Sequence, residues 1–209
     1  MCAREKEGSL NCLHKEWGSC LNAHKDQYIR GDDAYPTTIL ETVASHDLWI
    51  WHAFFGSVGP LNDINVLNMF PLFVDMYNGI APDSSFKVSG TSYRNTYYLV
   101  DGIYPERACF VKSLSCLNDC KRLKFKRAQE KARKDVEGAF GALKECCHIL
   151  KYPSPYLEEK KMSEATYTCI ILHNMIFEDK GNVIYEYNAN EIIPLTQTFE
   201  VGGEEGNNS

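Results

Sequence analysis

Two acids and one run of cations carry the chemistry that this sequence can support. Asp101 closes Thr96-Tyr97-Tyr98-Leu99-Val100, a stretch that predicts a strand, and Gly102 follows it. Open α/β sheets gather ligands at the carboxyl ends of their strands. An acid at that place suits a divalent cation, because hard cations prefer oxygen donors. The same Asp-Gly pair also reads as a plain turn. Glu137 comes one residue after Val136 in a helical pattern, on the border between an apolar stripe and solvent. It can face a site, or it can pair with Arg133 one helical turn earlier. Gly138 and Gly141 are poor helix formers beside it, and suggest either close packing or an open approach.

The cations are Lys121, Arg122, Lys124, Lys126, Arg127, Lys131, Arg133 and Lys134, eight within fourteen positions, with Glu130 as the one acid among them. The chain as a whole carries a net charge of −6, so a nucleic-acid partner needs a local patch, and this is the one on offer. A solvated helix face or a nuclear-localisation patch has the same composition. Trp49, Trp51, Phe54 and Phe55 could stack on bases, but their spacing inside an apolar run reads as core. His52 and His173 interrupt apolar stretches and read as satisfied buried histidines. His14 lies three residues after Asn11, without an assignable role.

These residues need elements to hold them. Gly8-Ser9-Leu10-Asn11-Cys12-Leu13-His14 is compatible with a strand. The segment from Trp17 to Asp33 reads as irregular. Pro36 to Ala44 is rich in β-branched residues and predicts a strand. After Ser45-His46-Asp47, residues 48–56 predict a second strand of a hairpin, apolar enough to be central or covered on both faces. Asn62 or Asp63 can cap a helix carrying Ile64, Leu67 and Met69, followed by a loop through Pro71 and Pro82. The strand ending at Asp101 comes next. Ala128, Ala132, Val136, Phe140, Leu143 and Cys147 then mark one long helix over about 118–150, stopped by Tyr152-Pro153-Ser154-Pro155. A last helix covers about 162–178, and the tail after Gly202 reads as disordered. The order is α/β and fits an RNase-H-like mixed sheet flanked by helices, along with several other α/β folds.

Composition sets outer limits. The 209 residues, 44% hydrophobic and 24% charged, suit one globular domain. No apolar run is long enough to span a membrane, and the charged start has no signal-peptide core. Nine scattered cysteines lack zinc spacing; Cys116 with Cys120 and the adjacent Cys146-Cys147 find no matching second pair. They read as reduced thiols, several of them buried.

Six stretches together resemble one known family. They are Pro36-Thr37-Thr38-Ile39-Leu40-Glu41-Thr42-Val43-Ala44-Ser45; His46-Asp47-Leu48-Trp49-Ile50-Trp51-His52-Ala53-Phe54-Phe55-Gly56; and Asn62-Asp63-Ile64-Asn65-Val66-Leu67. Then come Tyr97-Tyr98-Leu99-Val100-Asp101-Gly102-Ile103-Tyr104-Pro105; Ala132-Arg133-Lys134-Asp135-Val136-Glu137-Gly138-Ala139-Phe140-Gly141; and Thr168-Cys169-Ile170-Ile171-Leu172-His173-Asn174-Met175-Ile176. The chain resembles, over about residues 8–180, the PIF/Harbinger DDE transposases, specifically the plant transposon protein group and its domesticated nucleases. Residues 1–7 would be a polar start, and 181–209 a C-terminal extension.

The resemblance implies an RNase H fold with three catalytic carboxylates that hold Mg²⁺ or Mn²⁺ and cleave DNA phosphodiesters in the nucleus. It also implies a separate Myb-like DNA-binding partner. Relatives carry a helical region upstream, which this sequence lacks before its first strand. The second carboxylate falls on Asp101 and the glutamate on Glu137. The first, in a Gly-Ser-Ile-Asp-Cys-Met-His type of motif, falls on Asn11. Two-metal cleavage needs a carboxylate shared between ions about 3.5–4 Å apart. An Asn offers one neutral oxygen there, a loss of several kcal/mol and roughly three or more decades in rate. Lys15-Glu16-Trp17-Gly18, Gly138 and Cys146-Cys147 also depart from the pattern of the group. A silent DNA- or protein-binding module is the alternative to an impaired nuclease.

Overall fold

The computed structural model describes residues 7–31, 33–78, 85–93, 96–113 and 119–179. The tail expected to be disordered, and Cys116, lie outside these residues. Among them, the chain forms seven strands and six α-helices: β1 (Glu7–Glu16), α1 (Lys25–Tyr28), β2 (Thr37–Ala44), β3 (Ile50–Val58), α2 (Asp63–Met69), α3 (Pro71–Tyr77), β4 (Phe86–Val88), β5 (Thr91–Tyr93), β6 (Tyr97–Leu99), β7 (Phe110–Val111), α4 (Cys120–Arg133), α5 (Asp135–Cys146) and α6 (Glu159–Asp179). A 3-10 turn over His148–Leu150 follows α5.

Five strands make one sheet in the order β3-β2-β1-β6-β7, and β4 pairs only with β5. The first three strands are antiparallel, whereas β1–β6 and β6–β7 are parallel. This is the expected α/β fold, an RNase-H-like mixed sheet flanked by helices. β1 is the longest strand and sits at its centre. Its motif opens on Gly8 because a Cβ there would lie 2.6 Å from Val43 Cγ1 on the next strand.

Side chains alternate between two apolar layers. Leu40, Ala44, Ile50 and Phe55 join Val136, Phe140 and Leu143 of α5 and Met162, Cys169 and Ile170 of α6. Leu10 and Val43 join Leu67, Phe70 and Phe73 from the α2–α3 region, with Tyr98, Val100, Tyr104 and Phe110. Covered on both sides, every residue of β2 is buried.

Several expectations need correcting. Of the two readings of the strand over 48–56, the central one fails, because β2 takes the place beside β1; β3 is an edge strand with Phe55 in one apolar layer and Phe54 packed against the other. Its free edge is covered by side chains of α6 instead. Asn174 accepts from the Ile50 amide (3.0 Å) and donates to the Ile50 carbonyl (2.8 Å), and the Tyr167 hydroxyl accepts from the Phe55 amide (3.1 Å). His52 is exposed on β3, so it is no core histidine. His173 is buried, with Nε2 2.9 Å from the Leu48 carbonyl. Phe55 is core, while Trp49, Trp51 and Phe54 are partly buried and packed, with Phe54 stacked on Phe70.

Asn62 caps α2 through the Asn65 amide, but α2 buries Val66 and Leu67, and Ile64 and Met69 face outward. The loop expected through Pro71 is α3, which starts on that proline, where a missing N–H costs nothing. The single helix over 118–150 is two helices broken at Lys134, and Ala128 of its supposed stripe is exposed. Of the described cysteines, Cys20, Cys109 and Cys169 are buried thiols. Among the described residues no helix is long and apolar enough to cross a membrane.

Candidate active site

Strand register relates the first two candidates. β1 and β6 run parallel with Ser9 opposite Leu99; Asn11 lies two residues further along β1, and Asp101 two residues past the end of β6. Alternation sends both side chains to the face that Ser9 and Leu13 share. Leu13 packs there against the α5–α6 layer, and the Ser9 hydroxyl donates to the Ala132 carbonyl at the end of α4 (2.7 Å). His14 belongs to the opposite face with Leu10 and Cys12, so it does not neighbour this site.

Asp101 is exposed, directly after the fully buried Val100. Its carboxylate accepts from the Gly102 amide, closing a local turn. The space in front is open, since a Cβ on Gly102 would meet nothing within 4 Å. Two buried side chains fix this strand end. Gln129 of α4 donates to the Val100 carbonyl (3.1 Å) and to the Val111 carbonyl (3.0 Å), joining β6 to β7 beyond their short ladder. Tyr104 is inserted into the other layer, with its hydroxyl 3.9 Å from Cys12 Sγ, while Lys112 donates to the Tyr104 carbonyl (2.7 Å).

Asn11 is half-buried, and its side-chain oxygen accepts from the Cys12 amide (2.9 Å). Glu137 lies in the first turn of α5, the helix that packs on β1 and β2. Val136 and Gly138 on either side of it are buried, and Glu137 itself is exposed. It forms a 3.5 Å ion pair with Arg133, the surface pairing that periodicity allowed. Among the described residues, no hydrogen bond links Asn11, Asp101 and Glu137 to one another.

This donor set does not fit a two-metal centre. It offers two carboxylates, one ion-paired and the other closing a turn, beside a neutral amide. Among the described residues, no group of three His, Cys, Asp or Glu is placed to hold a metal ion.

The basic residues follow α4. Lys121, Arg122, Lys124, Arg127, Lys131 and Lys134 are exposed, and Lys126 and Arg133 are partly covered. Lys126 lies 3.6 Å from Glu130, and Arg133 pairs with Glu137. The only buried residue of α4 is Gln129, so most of its circumference presents cations to solvent.

Sequence reasoning missed a second polar group, on the opposite face of the sheet. Glu41 on β2 is fully buried between Cys12 of β1 and Phe54 of β3, and neither carboxylate oxygen has a hydrogen-bond partner. Burial, and then the nearby Asp63 charge, push its pKa up to about 8. Burial, with Glu41 and Asp63, also pushes the Cys12 thiol far up. The available signal was one acid inside an otherwise apolar and threonine-rich strand.

A family profile described as plant transposon protein matches residues 3–184. The chain belongs to the plant transposon protein family. No curated protein and no solved structure matches it.

Proposed function

We propose that this chain is the degenerate nuclease core of a PIF/Harbinger-type DDE transposase, with phosphodiester cleavage impaired by Asn11. One observation carries the reading. Asn11 lies two residues past Ser9 on β1, Asp101 lies two residues past its partner Leu99 at the end of β6, and α5, which carries Glu137, packs on β1. A DDE enzyme needs three acids converging there, and the first position holds a neutral amide. In an intact site, bound Mg²⁺ or Mn²⁺ would activate a water and stabilise the leaving oxygen. The residues of this chain fit that role poorly. What this chain retains is Asp101 after β6, Glu137 on α5 and the neutral Asn11 within β1. The exposed cations of α4 run from Lys121 to Lys134 and are suited to DNA phosphates. Action in the nucleus, beside a Myb-like partner, is part of the same proposal.

Nicking of supercoiled DNA with Mg²⁺ or Mn²⁺ tests the reading. The natural chain should give little or no cleavage, and Asn11→Asp should raise it by roughly three decades. That gain should vanish when Asp101→Ala or Glu137→Ala is added. Robust cleavage by the natural chain, unaffected by Asp101→Ala and Glu137→Ala, would refute it. Failure of Asn11→Asp to restore nicking, together with salt-sensitive DNA binding, selects the silent binding module, which the cationic surface of α4 also supports.

A further inference from the structure

The adjacent Cys146-Cys147 finds no second pair along the sequence, but the fold brings a thiol to one of the two. Cys147 follows the last residue of α5, donates its amide to the Leu143 carbonyl (2.9 Å), and packs against the α5–α6 layer. Cys169 comes 22 positions later and is buried in that layer on α6. The Cys147 side chain turns toward it, with Sγ 3.9 Å from the Cys169 carbonyl oxygen. Burial, and then a hydrogen bond with the Cys169 thiol, push the Cys147 pKa up to about 12.

Both backbones are anchored. Lys15 of β1 donates to the Ile149 carbonyl (2.8 Å) and to the Tyr152 carbonyl. The Ser154 amide donates to the Glu16 carbonyl (2.9 Å), so the turn after α5 is tied to the end of β1. On the other side, Asn174 and Tyr167 hold α6 against β3.

We propose that Cys147 and Cys169 are a site of oxidative cross-linking, which a hydroperoxide converts into a disulfide stapling the end of α5 to α6. A disulfide forms only between sulfurs that meet without moving the chain far. These two already share a hydrogen bond on anchored elements. Cys147 is the partly exposed member, so it is the one a small peroxide reaches. Its tightly held proton makes it slow to react near neutral pH. The Cys147 thiol loses its proton, and its sulfur attacks a peroxide oxygen. The O–O bond breaks, a sulfenic acid forms, and the departing hydroxide takes up the released proton. The Cys169 sulfur then attacks the sulfenic sulfur. An S–S bond forms, the S–O bond breaks, and the hydroxyl leaves as water with the Cys169 proton. Two electrons pass from the two thiols to one hydrogen peroxide, which becomes two waters.

Hydrogen peroxide treatment of the full chain, then alkylation, trypsin digestion and mass spectrometry, tests the proposal. Oxidation of the exposed Cys120 shows that the peroxide has acted. Peptide 145–151 should appear joined to peptide 162–180, with fragmentation placing the link on Cys147, and dithiothreitol should release it. The link should survive Cys146→Ser and be lost in Cys147→Ser and in Cys169→Ser, each with an unchanged circular dichroism spectrum. Read on the natural chain, the link does not depend on those variants. The cross-linked chain should melt roughly 6–10 °C above the reduced one, because the bond closes a loop between residues 22 positions apart. Complete alkylation of Cys147 and Cys169 after Cys120 has been oxidised overturns the proposal. So does a link made through Cys146 or to a second chain, and so does one that forms only after urea has unfolded the protein.

Discussion

Replacing Glu41 by Gln should make the protein more stable at alkaline pH and flatten its stability profile. Glu41 is fully buried on β2, has no hydrogen-bond partner, and lies near Asp63. Its carboxyl is held at about 8, against an ordinary value of 4.5. The unfolded chain therefore releases this proton near pH 4.5, whereas the folded chain keeps it until about pH 8. Between those values the folded state binds more protons, so stability falls as pH rises, and above about pH 8 the loss is complete. The slope is about 1.4 kcal/mol per pH unit, giving on the order of 5 kcal/mol across the window as a ceiling. Water entering beside Asp63 would reduce it. Gln has nearly the same shape and no charge to lose. Urea unfolding at intervals from pH 5 to pH 9 measures the effect. The natural chain should lose stability toward alkaline pH, and Glu41→Gln should lose markedly less, so that the two diverge by several kcal/mol at pH 8–9. Parallel profiles would show that Glu41 is ionised or solvated in the fold, and would refute the reasoning.

Gln129→Ala removes two hydrogen bonds to the carbonyls of Val100 and Val111 and should cost about 1–3 kcal/mol in chemical denaturation; an unchanged midpoint would mean that α4 does not hold this strand end. Asn174→Ala frees the amide and carbonyl of Ile50 on an edge strand. It should lower stability by about 1–3 kcal/mol and increase aggregation on mild heating, read by light scattering. If the cations of α4 contact phosphates, Lys121→Gln, Lys124→Gln and Arg127→Gln together should reduce the salt dependence of DNA binding by up to roughly 2.7 in log–log slope. An unchanged slope in fluorescence anisotropy would place the contacts elsewhere.

The elements most legible in the sequence are those whose local preference and tertiary role agree. β2 is a β-branched run that is also the most enclosed strand, and α6 is an apolar helix with one buried face. β1 was only faintly legible, because Gly8, Ser9 and Asn11 have low strand propensity; its central place comes from pairing with β2 and β6. The break at Lys134 has no proline or glycine to announce it. It coincides with the Ser9 bond to the Ala132 carbonyl, a contact between residues far apart in the chain. The same limit applies to the site. Asp101 and Asn11 could be nominated from motifs, but their shared level on the sheet is a matter of register. Gln129 left no trace in the sequence because a neutral amide among lysines and arginines looks like another solvated side chain. Glu41 was visible as an odd residue in a buried strand, yet its nearness to Asp63 is set by where α2 returns to the sheet.

The position of β1 has a consequence for how the molecule comes together. On one side it closes with β2 in a hairpin-like arrangement of neighbouring sequence; on the other it waits for β6, and Ser9 waits for Ala132. During synthesis the β1–β3 half can therefore assemble while the remaining chain is still being made. The rim carrying Asn11 and Asp101 is completed only when the second half arrives. A chain interrupted between these halves would lose α5 and α6, which cover one face of β1–β3, and would leave Asn11 without Asp101 or Glu137.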